Sequence, residues 1–152
     1  MSEHQRVAVL GECDPVGLVA RFGPLRGVPG YVVFVGTGLG GPLQLTLASL
    51  KAIAEASVII VGPGVNEGLI SEPEVDHDPD AVVLDAGAEP DLDKVAQLTR
   101  SGLTVVWLVA GDPLEDADAS CQAARLSELG CRIDMVPGLS KTSMALTSAG
   151  IC

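Results

Sequence analysis

Aromatic side chains are nearly missing from this chain: Trp107, Tyr31, Phe22 and Phe34 are the whole set among 152 residues. Any core must therefore be aliphatic. Positive charge is scarce too, with 9 Lys and Arg against 20 Asp and Glu and a formal net charge of −11. That balance excludes wrapping nucleic acid or lying on an anionic membrane, because either phosphate-rich surface would be repelled. Long hydrophobic runs are absent as well. "LTVVWLVA" and "SVIIV" have the length of strands and are too short to span a bilayer. The opening "MSEHQR" is polar and lacks the apolar stretch of a signal peptide. Cys13, Cys121, Cys131 and Cys152 form no C-x-x-C pair and no zinc spacing. They read as reduced thiols of a soluble, cytoplasmic protein with no metal site.

What is present is enough for one packed domain: 47% of the residues are hydrophobic and 19% charged. The acids gather in "NEGLISEPEVDHDPD" and "DAGAEPDLD", which read as a solvated loop region. His77, between Asp76 and Asp78, is too isolated to mark a metal site.

Residues 1–30 stand apart as an amino-terminal extension and linker. "RVAVLGECDPVGLVARFG" fits a short strand, a turn at Asp14-Pro15 and a short helix, and "GPLRGVPG" is rich in breakers. From Tyr31 the pattern is regular. A strand over 31–35 runs through glycines into a predicted helix over 42–55, and "SVIIVG" is a second buried strand. "AVVLDA" is a possible strand. A helix follows that Asp91 caps and Gly102 stops. "LTVVWLVAGDP" is the next strand, and the pattern then predicts a helix over 116–129, a strand at "CRIDMVPG" and a final helix at "LSKTSMALTSAG". Apolar strands alternating with helices predict an α/β fold, a mainly parallel sheet with helices on both faces. Ligands of such sheets bind beyond the carboxyl ends of the strands. The turns at 36–41, 111–113 and 137–138 should therefore share one edge.

Gly36, Gly38 and Gly41 match the G-x-G-x-x-G of dinucleotide sites. That fingerprint needs an acid at the end of the second strand to hold the ribose, and Val61-Gly62 stands there instead. The glycines otherwise only permit a tight strand-to-helix turn.

Three co-linear blocks carry a different likeness. "VVFVGTGLGGPLQLTLASLKAIAEASVIIVG", "VVWLVAGDPL" and "DMVPGLSKTSMALTSAG" resemble, in order and spacing, the amino-terminal domain of the tetrapyrrole methylases. These enzymes methylate uroporphyrinogen III and cobalamin precursors. The resemblance covers residues 31–152, most closely the uroporphyrinogen-III C-methyltransferases. It implies an S-adenosylmethionine-dependent methyltransferase acting on a small-molecule tetrapyrrole. The cofactor would lie against backbone left open at Gly38, Leu39 and Gly40, at Ala110, Gly111 and Asp112, and at Ser140 and Lys141. Asp112 stands out, since a carboxylate at a strand end accepts hydrogen bonds; its other reading is an Asp-Pro turn former.

The chain also departs from the family. The first-block Asp is Gly41 here, and the Asp that closes the second strand, inferred in the family to take a proton, aligns with Gly62. A Lys inferred to give a proton has no counterpart near Asp85 and Ala86. No catalytic residue can be assigned. A general base contributes typically about 10²–10⁴-fold, so its loss slows turnover. The acids of "LEDAD" would repel a polycarboxylate porphyrinogen. The family's second domain has no counterpart before Cys152. Either a truncated domain or a natural half is expected, docking to a second domain or pairing as a homodimer through the apolar "MALTSAGIC". The alternative function is a non-catalytic scaffold or regulator that keeps the methylase fold.

Overall fold

The structure, a computed structural model, describes residues 8–22, 30–38, 41–66 and 68–140. Its strands are β1 (Ala8–Val9), β2 (Tyr31–Gly36), β3 (Val58–Val61), β4 (Val82–Asp85), β5 (Val105–Val109) and β6 (Arg132–Val136). Its helices are α1 (Pro15–Ala20), α2 (Leu47–Glu55), α3 (Leu92–Arg100) and α4 (Ala117–Glu128). The six strands form one sheet in the order β1-β4-β3-β5-β2-β6, with every pairing parallel. The expected α/β architecture is therefore the observed one.

The central strands β2, β3 and β5 read as continuous apolar runs because both faces are covered. Alternation sends Val32, Phe34, Val58, Ile60, Val105 and Trp107 to one face, under α1, α3 and α4. Val33, Val35, Ile59, Val61, Val106 and Leu108 go to the other, under Ile53 of α2 and the 65–75 segment. With so few rings available, the one aromatic pair is central. Phe34 and Trp107 stack with centroids 5.4 Å apart at 21°, a contact worth about 0.5–1.5 kcal/mol beyond its area.

The acidic segment is layered. Val65, Leu69, Ile70 and Val75 are buried against the sheet, while Glu74, Asp76, Asp78 and Asp80 face solvent. The part of the amino-terminal segment that is described packs on the same sheet. β1 pairs with β4, and Leu10, Cys13 and Leu18 join the core. Burial pushes the Cys13 thiol up, with Lys94 lowering it and Asp14 raising it. It stays a protonated core group at neutral pH.

One helix starts later than its sequence predicts. The expected 42–55 helix is a 3₁₀ turn at Pro42–Gln44, two extended residues, and then α2 from Leu47. Thr46 fixes the start, because its hydroxyl accepts from the Ser49 amide at 3.0 Å and so caps the helix. Asp91 caps α3 as expected, and Gly102 follows it with φ +96. α4 begins at the Asp116 cap and gives way to Gly130 at φ +90. The helix expected at 139–150 lies outside the described residues from position 141.

Candidate functional site

Neighbouring strands β2 and β5 send their chains to opposite faces, β2 into α2 and β5 into α4. In open parallel sheets such a reversal marks the usual ligand position, beyond the carboxyl ends of the strands. Two glycine turns meet there. Gly38 donates to the Gly111 carbonyl at 3.3 Å, and Gly111 donates back to Gly38 at 2.9 Å. Both have positive φ, +69 and +78, so only glycine closes this bridge without strain.

A third strand end completes the node. A Cβ on Gly36 would lie 2.5 Å from the Gly111 oxygen and 2.5 Å from the Gly138 nitrogen. A Cβ on Gly138 would lie 2.5 Å from the same Gly111 oxygen. The ends of β2, β5 and β6 thus touch through backbone alone, and any side chain would part them.

The structure brings together several of the residues that the sequence nominated. Gly38, Ala110, Gly111 and Asp112 line the β2–β5 ends, and Ser140, 8% exposed, follows Gly138 by two residues. Leu39, Gly40 and Lys141 lie outside the described residues. Ala110 is buried among the aliphatics of the α2 face, so what it offers a ligand is backbone. Asp112 is half-buried, and its Oδ1 accepts from the Leu114 amide at 3.0 Å, capping the 3₁₀ turn at Pro113–Glu115. The turn-former reading of Asp112 is therefore realised. The second oxygen of the same carboxylate leaves it capacity to accept from a ligand as well.

Two polar residues that support the node were not singled out from sequence. Thr37 is 4% exposed; its amide and its hydroxyl both donate to the Val109 carbonyl, at 2.9 and 3.2 Å. Ser49 in α2 donates to the Gly36 carbonyl at 3.2 Å and contacts the Thr46 hydroxyl at 2.9 Å. The cap of α2 is thereby tied to the end of β2. Thr46 is a residue type that caps helices, which is the signal that could have marked this start, but nothing local points to the Gly36 carbonyl across the fold.

The positions of the proton-transfer groups are occupied otherwise. Gly62 donates its amide to the Leu108 carbonyl at 3.0 Å, and a Cβ there would fall 2.5 Å from that same oxygen. Asp85 ends β4 and accepts from the Gly87 amide at 2.8 Å. His77 Nδ1 lies 3.1 Å from the Asp78 carbonyl. Among the described residues, no three His, Cys, Asp or Glu side chains gather as a metal would need, and no helix is long and apolar enough to cross a membrane.

Comparison with known proteins bears on this edge of the sheet. The family of tetrapyrrole (corrin/porphyrin) methylases matches residues 31–152. Uroporphyrinogen-III C-methyltransferase of Bacillus subtilis is 32% identical over 131 residues, 80% of this chain and 49% of that protein. A crystal structure of uroporphyrin-III-C-methyltransferase from Thermus thermophilus superposes with a TM-score of 0.66 at 27% identity, over 80% of this chain and 53% of that one. A Thermus thermophilus structure complexed with S-adenyl homocysteine matches with a TM-score of 0.64 at 26% identity, over 79% and 48% of the two chains. The chain thus spans about half the length of each of these three relatives.

Proposed function

Since the chain belongs to the tetrapyrrole (corrin/porphyrin) methylases, we propose that its strand-end node is this chain's share of an S-adenosylmethionine site serving methyl transfer to a tetrapyrrole of the uroporphyrinogen-III type. The contact of Gly36, Gly111 and Gly138 through bare backbone carries the reading. It brings three strand-end turns together with no side chain between them, so a nucleoside and an amino-acid group can approach backbone there, and Asp112 stands at the β5 end as an acceptor. The binding of S-adenyl homocysteine by the Thermus thermophilus relative supports the same cofactor class.

The residues fit cofactor binding better than proton transfer. The bound cofactor supplies an electrophilic methyl group, and this chain's part is to hold and align it. Gly62 offers no base at the end of β3. That observation favours the second reading, a non-catalytic domain that keeps the fold and docks or regulates a partner of the pathway.

Calorimetric titration of S-adenosylhomocysteine tests the site. A dissociation constant of about 1–100 μM is expected. Asp112→Ala should weaken it about tenfold, the loss of one charge-assisted hydrogen bond. A folded chain that releases no heat would rule out a self-sufficient site.

The partner follows from the rim. Leu43, Leu47, Leu114 and Leu139, exposed by 89%, 85%, 62% and 44%, follow the carboxyl ends of β2, β5 and β6, Leu47 as the first residue of α2. Exposed leucines on the segments that follow these strand ends favour a surface that another unit covers. In a longer chain that unit is a second domain; in this chain alone it is a second copy. Light scattering should show a dimer that grows with concentration. A monomer throughout would remove the second copy. The reading of the protein as soluble and cytoplasmic rests on its charge and thiols, and fractionation of the native host tests it.

A further inference from the structure

We propose a second ligand site, separate from the glycine loops, in a cleft of about 380 Å³ at the ends of β3, β4 and β5. It takes a small organic cation that carries an oxygen acceptor and a short apolar tail. The volume lies at the lower end of the range for small-molecule sites, about 300–1,000 Å³.

The acceptor is called for by Trp107. This side chain is 1% exposed and stacks on Phe34, yet its indole N–H has no hydrogen-bond partner among the described residues. The ring nitrogen is not sealed in the core either, since among the described residues no fully buried side-chain nitrogen or oxygen lacks a partner. Trp107 and Gly62 both line the cleft, and a methyl on Gly62 would sit 3.4 Å from the indole nitrogen. The missing side chain at Gly62 is what leaves the N–H facing open space. The N–H therefore stands as a donor at the cleft wall, open to an oxygen acceptor placed there.

The cation is called for by the opposite wall. Asp116, Asp118 and Gln122 line it from α4 and its cap. Asp116 already accepts from the Ala119 amide through Oδ1 at 2.9 Å, whereas Asp118 is exposed and has no partner among the described residues. Among the described residues, no Lys or Arg lines the cleft. The nearby Arg125 belongs to an adjoining hollow of about 600 Å³, which it shares with Glu89, Asp91 and Asp118. A chain of net charge −11 draws cations to such a wall and turns anions away. Val109, Ala119 and Pro63 supply the apolar surface between the two polar ends.

Because Trp107 is the only tryptophan, its single indole N–H resonance in a ¹⁵N-labelled sample reports on this cleft alone. The probe is leucinol, which has an ammonium for Asp118, a hydroxyl for the indole and an isobutyl tail. The control is 2-hydroxy-4-methylpentanoate, with the same skeleton and an anionic head. Leucinol should move the indole resonance saturably. Its midpoint should be at least about fivefold lower than that of the acid, and Asp118→Asn should raise it about threefold or more. Gly62→Ala should close the cleft and abolish the shift; where that variant does not fold, Asp118→Asn carries the comparison. An indole resonance that leucinol leaves in place overturns the proposal. So does equal movement by the acid, or an unchanged midpoint in Asp118→Asn. S-adenosylhomocysteine binding by calorimetry is a separate readout, so either site can fail without the other.

Discussion

Gly36→Ala is expected to cost about 3 kcal/mol or more, at the upper end of overpacking penalties, and to abolish binding of S-adenosylhomocysteine. Its methyl group would lie 2.5 Å from the Gly111 oxygen, 2.5 Å from the Gly138 nitrogen and 2.7 Å from the Gly138 Cα. All three are backbone atoms, so no side chain can swing away. The ends of β2, β5 and β6 would have to separate, and the Gly38–Gly111 bridge and the Ser49 bond to the Gly36 carbonyl depend on their contact. Gly41→Ala is the matched control. A methyl there meets nothing within 4 Å, and its φ of −83 suits any residue, so a change within about 0.5 kcal/mol is expected. Urea unfolding of the two variants checks the pair. Equal midpoints would show that the node carries no packing constraint.

Gly62→Asp returns the carboxylate that the family places at the end of its second strand, and the natural expectation is a gain of activity. The geometry here predicts the reverse. The Cβ would sit 2.5 Å from the Leu108 carbonyl, to which Gly62 itself donates at 3.0 Å. β3 and β5 would have to part at their ends. The new charge would also enter a cleft already walled by Asp116 and Asp118. A loss of about 3 kcal/mol is expected, which for a chain of this size lowers the melting temperature by about 6–12 °C. No methyl transfer should appear. Calorimetric melting and an assay with uroporphyrinogen III decide it. A stable, active Gly62→Asp would mean that the β3 end is plastic and that the missing base alone silences the chain.

The fold was legible because the central strands β2, β3 and β5 are apolar throughout and α3 and α4 carry their own caps. Asp91, Asp116, Gly102 and Gly130 mark α3 and α4 in the sequence where they stand in the structure. The start of α2 was not, since Pro42 suits a helical first turn and also a 3₁₀ turn, and only the Thr46 cap separates them. The glycine loops were found by position, as ends of parallel strands. Their mutual contact was not, because Gly36, Gly111 and Gly138 are far apart in the chain. Trp107 read as a core residue, which it is. Nothing in the string "VVWLVA" says that its N–H reaches the space left by Gly62, the residue that follows another strand.

The order of the strands also governs how the protein comes into being. β2 is among the first strands made, yet both its partners, β5 and β6, come late: Val33 pairs with Val106 and Asp134. β3 meets β4 much sooner, through Ile59 and Val83. During synthesis the β2 segment must therefore wait, unpaired, while about half the chain is added. Non-local parallel pairing of this kind is slow and leaves apolar edges open to wrong partners. The nascent chain is most vulnerable before residues 105–109 emerge, and the contact of the β2 and β5 ends is among the last features to exist.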